Sequence, residues 1–432
     1  MGFRTLVVMV LLIVVVMTAQ ADTPADKVFL SQVARDTWRY FEECKDSATG
    51  LVWDSASENR STKGVYTSPT NVGMDICCTV AANDLGIIDR KAAIQRISGI
   101  FETLDKLEKD KGLFYNFYRV DSLRPTNKFV SSIDNAWLSV ALMVARQAYP
   151  DELSGTASRL LKSQNYGVFY DKGNGLLWWG YNKEKTDTKY GHYDMFCSES
   201  RAAYVVAIGK GDITAQSWFR MTRAPKVDGK GYNSGEIRSY RGVKVRESYF
   251  VYNGKPIVPS WGGSMFEFLM PALFFDEAGL APKSLGENAR RAVDAQIAYA
   301  KQAGLCVWGM SPCAKPDGNY AACGVTEIGA GGYPPEVITP HAAFLALEVR
   351  PEEAIGNLNE MAKRYKIRGR YGFFDSVDPK SGSVCDRYLV LDQGMILIAI
   401  DNYLHNGAIR RRVMQDPLMK RIPALLAEER FY

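Results

Sequence analysis

Two kinds of side chain in this sequence are placed to do chemistry: carboxylates and flat aromatic rings. The densest stretch is Tyr190-Gly-His-Tyr-Asp-Met-Phe-Cys-Ser-Glu199-Ser-Arg201, and an apolar run follows it directly. A glutamate at the mouth of an apolar helix, just behind an aromatic loop, is partly withdrawn from water. Burial disfavours the charged form and lifts the carboxyl toward the range of a proton donor. The competing role is a capping carboxylate that accepts from the first amides of the helix. Asp392, ahead of the apolar run 395–400, and Asp134, in Val130-Ser-Ser-Ile-Asp134-Asn, face the same alternative of an N-cap. Glu267 stands among Met265, Phe266, Phe268 and Leu269, where a carboxylate is costly to bury unless it is paired or protonated.

The aromatic rings are numerous, with 23 Tyr and 8 Trp against 3 His in 432 residues. Trp178, Trp179, Tyr190, Trp261, Trp308 and Tyr371 fall in or near expected loops, where a rigid amphipathic ring suits the C–H face of a sugar. Core packing is the other use for each of them. The scarcity of His excludes more than it suggests. His192, His341 and His405 are far apart, so no imidazole metal pair of the H-E-x-x-H kind exists. No G-x-S-x-G elbow supplies a serine nucleophile, and no G-x-x-x-x-G-K-[ST] loop supplies a phosphate cradle. Gly229-Lys-Gly231-Tyr-Asn-Ser-Gly235 has the wrong spacing for a dinucleotide fingerprint. No metal and no organic cofactor is expected. What remains is paired carboxyl chemistry, in which one carboxyl protonates a leaving glycosidic oxygen and another activates water or attacks carbon.

Helices must hold these groups. Ile94, Ile97, Phe101, Leu104 and Leu107 recur at three- and four-residue spacing, as do Ile355, Leu358, Met361 and Tyr365 after a Pro-Glu-Glu start. Similar segments are expected at 25–43, 68–86, 131–148, 151–164, 196–209, 264–277, 284–302, 340–348 and 391–405, with a short one at 214–222. That makes twelve. One strand is expected, from Val243 to Val251, as an arm of a hairpin. Helices joined alternately by short turns and by long Gly-, Tyr- and Trp-rich loops predict an all-α (α/α)6 barrel, six helical hairpins in a double ring, with the aromatic loops gathered at one end.

The Tyr190–Arg201 stretch has companions in Pro259-Ser-Trp-Gly-Gly-Ser-Met-Phe-Glu267-Phe-Leu-Met-Pro271, Gly369-Arg-Tyr-Gly-Phe-Phe-Asp375 and Leu391-Asp392-Gln-Gly-Met-Ile396, with Thr67-Ser-Pro-Thr-Asn-Val-Gly73 ahead of them. Together they resemble the glycoamylase-like domain of bacterial endo-β-1,2-glucanases (glycoside hydrolase family 144) and of the cyclising part of cyclic β-1,2-glucan synthases. The motifs run in order from about residue 65 to 420. The resemblance implies the same barrel and a hydrolase, or transglycosylase, acting on a β-linked glucan, β-1,2 above the others. It implies Glu199 as acid, Asp392 as base, Asp134 as a residue that positions sugar hydroxyls, and Glu267 as a site member that shares or replaces a catalytic role. The Trp-x-Gly-x-Met-Phe-Glu context of Glu267 is closer to the synthase branch, which leaves inversion or retention open. His192, Arg201, Asp375 and Gln393 complete the expected substrate-binding set, with an incidental loop position as the alternative for His192 and pairing with a nearby carboxylate as the equal alternative for Arg201. The segment from Cys306 to Cys323 keeps only part of the family's loop.

Rival readings are a polysaccharide lyase on the same helical fold and a glycan-binding protein that has lost catalysis. Residues 1–21 read as a signal peptide, with Arg4, an apolar run from Leu6 to Met17 and the Ala19-Gln-Ala21 cleavage signal, leaving 22–432 as one catalytic domain. Export to the periplasm or beyond follows. The formal net charge of +5 drops by one with Arg4 removed. No basic stripe points to nucleic acid, and after cleavage no stable membrane association is expected. A glucan chain is the expected partner of a monomer. Among the eight Cys, a local bridge is expected between two of Cys306, Cys313 and Cys323, whereas Cys77 and Cys78 read as small buried hydrophobes.

Overall fold

The computed structural model describes residues 23–432. The expected signal peptide lies outside them. Chain order gives fourteen helices among the described residues: α1 Pro24–Glu43, α2 Pro69–Asp84, α3 Arg90–Lys106, α4 Ser132–Ala148, α5 Pro150–Ser163, α6 Arg201–Lys210, α7 Met265–Leu269, α8 Glu277–Leu280, α9 Leu285–Gln302, α10 Pro340–Leu345, α11 Pro351–Arg364, α12 Val390–Leu404, α13 Ala408–Gln415 and α14 Ile422–Ala427. Their starts are written locally. Thr23 and Asp26 form a capping box ahead of Pro24, Ser68 precedes Pro69 and accepts from the Asn71 amide, and Ser131 accepts from the Asp134 amide.

The helices divide into two kinds. Those of α2, α4, α6 and α12 are buried on nearly every face, whereas α3, α5, α9 and α11 bury one stripe and expose the other. Among the buried kind, α2 packs on α4 and α12, α4 on α6, and α10 on α12 and α7. Arg201 at the start of α6 then reaches the Glu267 and Phe268 carbonyls of α7. Close approach needs small residues here. A Cβ on Gly73 of α2 would lie 3.0 Å from the Trp137 carbonyl of α4, and one on Gly394 of α12 would lie 2.8 Å from Met74 Cβ. The buried apolar side chains of all these helices belong to one continuous core.

The structure departs from the sequence reading in several places. The label all-α is too narrow, because the long loops carry twenty short strands among the described residues. The largest sheet pairs Leu176–Asn182 with Phe129–Ser131 on one side and Thr188–Tyr193 on the other, so loops rich in β-branched and aromatic residues are hydrogen-bonded rather than irregular. The helix expected over 264–277 is three pieces, α7, a 3-10 turn at Pro271–Leu273 and α8, since Pro271 lacks the amide to continue the ladder. The segment at 214–222 is a 3-10 turn, Ala215–Arg220. The strand expected from Val243 to Val251 breaks at Glu247 and Ser248. Their side chains turn inward, Glu247 to the Tyr240 hydroxyl and Ser248 to the Ala224 backbone. Helices α13 and α14 went unread. All eight thiols are unbridged; Cys313 and Cys323 share a small apolar cluster with Val337, while Cys306 is exposed.

Candidate active site

Four helix N-termini meet at one cleft of about 570 Å3, a size suited to a small-molecule or oligosaccharide site. From α2 come Ser68, Thr70 and Asn71; from α4, Ile133, Asp134 and Trp137; from α7, Phe266; from the start of α12, Leu391 and Asp392. Glu199 enters from the turn before α6, and the hairpin joining Cys313–Ala314 to Tyr320–Ala321 closes one side with Tyr320. Ser68, Ser131 and Ser264 cap α2, α4 and α7. Because serines do the capping, the residues after them are free to face the cleft.

That division of labour shows which of the carboxyls are helix caps and which are not. Asp134 is not the cap of α4: its amide serves Ser131, while its carboxylate accepts from Thr70 Oγ1 at 2.6 Å and Asn116 Nδ2 at 3.0 Å. Burial holds its pKa above the ordinary value. Asp392 sits inside the first turn of α12 behind Leu389, and no side chain caps that helix. Glu199 lies two residues ahead of α6, in a turn, half-buried and in contact with Ser198 Oγ at 2.8 Å. Burial, and then the charge of Glu267, push its pKa up to about 7.

Glu267 stands behind Glu199 and not among the residues lining the cleft. Its carboxylate accepts from Ser260 Oγ, the Gly262 amide, and both the amide and hydroxyl of Ser264, at 2.8–3.2 Å. It completes a capping box with Ser264. The burial cost foreseen for it is thus met by donors, although burial still raises its pKa. Arg201 is fully buried. Its guanidinium pairs with Glu277 at 2.6 and 3.0 Å and also donates to the carbonyls of Ser198, Glu267 and Phe268. It therefore locks the two segments that carry Glu199 and Glu267 together, and has no donor left for a substrate.

At the start of α12, the carboxyl of Asp375 contacts that of Asp392 and accepts the Ala314 amide at 2.5 Å. Burial raises both pKa values, that of Asp375 to about 6 and that of Asp392 further because Asp375 is its neighbour. Two carboxyls in contact cannot both ionise cheaply, so one proton between them is the favoured state. His341, from the start of α10, stands with Nδ1 3.6 Å from Asp392 Oδ2, and burial drives its pKa down to about 3. Among the described residues these three form the one group of His, Cys, Asp or Glu whose ligand atoms lie within 4.8 Å of one another.

The aromatic expectations divide. Trp179 is 47% exposed, its Nε1 donating to the His192 carbonyl, and Trp261 is 51% exposed with its ring over Gly331. Trp178 points to the other face of its strand and stacks on His192, which contacts Asp171 and Asn174 rather than the cleft. Tyr190 packs edge-on against Phe129. Trp308, Tyr371 and Gln393 are core: Trp308 is buried with its backbone tied to Asn357, Tyr371 donates to Glu43, and Gln393 donates to the Phe373 carbonyl. Conversely, Trp137 lines the cleft although it sits inside a helix. Missed altogether were Asp54, which accepts from Asn71 Nδ2 at 2.9 Å, together with Tyr66, Phe117, Tyr320 and Arg387. Of the further cleft residues, Thr70, Asn71, Ile133, Phe266 and Leu391 had a signal, because they lie in the quoted motifs.

With this geometry in place, comparison with known proteins gives the family. The model of the Glycoamylase family matches residues 191–417, and the chain belongs to that family. A second model, for a protein of unknown function, matches residues 32–204. The chain is similar to the cyclic β-(1,2)-glucan synthase NdvB of Rhizobium meliloti, at 22% identity over 93% of this chain and 18% of that protein. It is also similar to an exo β-1,2-glucooligosaccharide sophorohydrolase of Parabacteroides distasonis, at 20% identity over 88% of this chain and 55% of that one. The chain thus spans about a fifth and about half the length of these relatives. Its fold is shared with an endo-β-1,2-glucanase of Chitinophaga pinensis, crystallised with sophorotriose and glucose, at a TM-score of 0.74 and 17% identity over 93% of this chain and 98% of the other.

Proposed function

We propose that this protein is an exported glycoside hydrolase that cleaves a β-linked glucan, with the β-1,2 linkage as its substrate. The observation that carries the reading is Glu199, a carboxyl with a pKa raised to about 7, open to a cleft that also holds Asp392 and Asp134. Glu199 gives its proton to the departing glycosidic oxygen. The Asp375–Asp392 pair, with one proton between its two carboxyls, takes the proton of the attacking water through Asp392, the member that lines the cleft. Asp134, held by Thr70 and Asn116, binds sugar hydroxyls. Glu267 keeps the acid protonated by its charge. Tyr66, Trp137 and Tyr320, which line the cleft, offer sugar-stacking faces, whereas Trp179 and Trp261 are exposed outside it.

The relatives support the substrate class, since the names of both matched proteins refer to β-1,2-linked glucose. The adjacency of α2, α4, α6, α7, α10 and α12 supports an inner ring of six helices, the (α/α)6 barrel, within a single domain. The N-terminal apolar run supports export, and among the described residues no helix is long and apolar enough to cross a membrane.

The test is incubation of purified protein with linear β-1,2-, β-1,3- and mixed-linkage glucans, with chromatography of the products. Shortened β-1,2 oligosaccharides are expected. Binding without cleavage of any glucan would overturn the enzyme reading, and a product absorbing in the ultraviolet would replace hydrolysis by elimination.

A further inference from the structure

We propose that His341, Asp375 and Asp392 form a binding site for one divalent cation of the manganese or zinc class, and that its occupation opposes turnover. Three separate segments bring the donors together: the start of α10, the first turn of α12, and the loop after the strand Gly372–Phe373. His341 is 1% exposed, yet neither ring nitrogen has a hydrogen-bond partner among the described residues. Asp375 Oδ1 and Asp392 Oδ2 receive no donor from any other residue, so only a proton held between the two carboxyls, or an ion in its place, can satisfy them. Buried polar atoms are nearly always partnered, and here one donor atom from each of the three residues lies within 4.8 Å of the others, around a His341 ring that nothing else satisfies. Two facing carboxyls call for a positive ligand.

The spacing fits an ion. His341 Nδ1 and Asp392 Oδ2 are 3.6 Å apart, too far for a hydrogen bond. Two donors each about 2.0–2.2 Å from a common ion sit roughly 3.3–3.6 Å apart at tetrahedral angles and roughly 2.8–3.1 Å apart at the right angles of an octahedral shell. The 3.6 Å separation matches the tetrahedral case, and an octahedral ion would draw the two donors slightly closer. The donor set of one imidazole and two carboxylates suits manganese or zinc, whereas magnesium and calcium prefer oxygen alone. Because Asp392 belongs to the cleft wall, the site is reachable through the cleft. The opposing effect rests on the hydrolase reading above, in which Asp392 must accept a proton from water; an ion on its carboxylate blocks that step. The binding claim stands without that reading.

Chelator-treated full-length protein is titrated with manganese chloride, and free ion is followed by its electron paramagnetic resonance signal. Manganese is chosen because it prefers carboxylate and imidazole donors to thiols, and eight Cys are present. One ion per chain is expected. His341→Ala and the size-conserving His341→Gln should weaken binding by at least about tenfold, with melting curves confirming that both fold, while Glu199→Gln binds as the wild type does. Turnover of linear β-1,2-glucan should fall as manganese fills the wild type and stay level in His341→Ala. No binding to the wild type up to about 1 mM, a range that covers even weak cation sites, or equal binding by both His341 variants, overturns the site. Binding without loss of turnover overturns the opposing effect, and a chain that cuts no glucan still answers the binding question.

Discussion

Glu199 and Asp392, which both line the cleft, are each backed by a second, buried carboxyl, and the two surroundings are built in opposite ways. Behind Glu199, Glu267 is saturated by two serine hydroxyls and two backbone amides, and Arg201 spends its whole guanidinium fastening both segments. Around Asp392, by contrast, Asp375 has one amide donor and His341 has none. Saturated surroundings fix geometry and leave a single group, Glu199, free to exchange its proton. Unsaturated surroundings are poised to accept something, whether a proton from water or an ion.

The largest effect should come from the free group of the saturated surroundings. Glu199→Gln removes the transferable proton and should lower kcat on β-1,2-glucan by about 10^2–10^4, with oligosaccharide binding, read by calorimetry, retained. Full activity in that variant would remove Glu199 from the role of acid. Next is the scaffold. Arg201→Met leaves Glu277 buried without its partner and should destabilise the fold by about 3–5 kcal/mol, measured by denaturant unfolding; a change under about 1 kcal/mol, the value of a surface pair, would mean these surroundings are not held as described. The same kind of truncation in the unsaturated surroundings should do the reverse. His341→Leu replaces an imidazole that has no partner and should raise stability by about 1–2 kcal/mol in chelator-treated protein, and a loss there would show that the ring is satisfied after all.

A smaller effect follows from linkage. The folded-state pKa of Glu199 lies above the usual carboxyl value of 4.5, at about 7. Its contribution to stability is therefore full below about 4.5 and is lost as the pH rises through about 7. Melting temperature should fall less steeply over that window in Glu199→Gln than in the wild type, and identical slopes would contradict a raised pKa.

The same contrast explains what could be read from the chain alone. Helix positions were legible wherever a cap and a three- or four-residue apolar period coincide, as at Ser68–Pro69 or along α11. They blurred at Pro271, where tertiary contacts keep a broken helix in place. The carboxyls of the site were legible as residues because they lie in quoted motifs, but their partners were not. Arg201 follows Glu199 by two positions and reads equally as a contact for substrate or as a partner for a carboxylate; it is the latter, but the carboxylate is Glu277, 76 residues away. Trp308, Tyr371 and Gln393 look like site residues because they share loops and motifs with real ones, and nothing local says that they face inward. Asp54, Tyr320 and Arg387 were invisible for the converse reason, since they reach the cleft from three segments far apart in the chain, outside the motifs that carry the carboxyls. His341 carried no pattern at all, and only the fold sets it against two aspartates.

The pH dependence of kcat/KM on linear β-1,2-glucan tests the central claim most directly, because it reads the protonation state of the free enzyme's acid. Activity requires the protonated carboxyl of Glu199, so the wild type should lose activity as the pH rises through about 7, and the residual activity of Glu199→Gln should lack that limb. A wild-type profile that is flat from about pH 5 to 9, on either side of the range in which enzymes tune a catalytic carboxyl, or the same alkaline limb surviving in Glu199→Gln, would contradict the assignment.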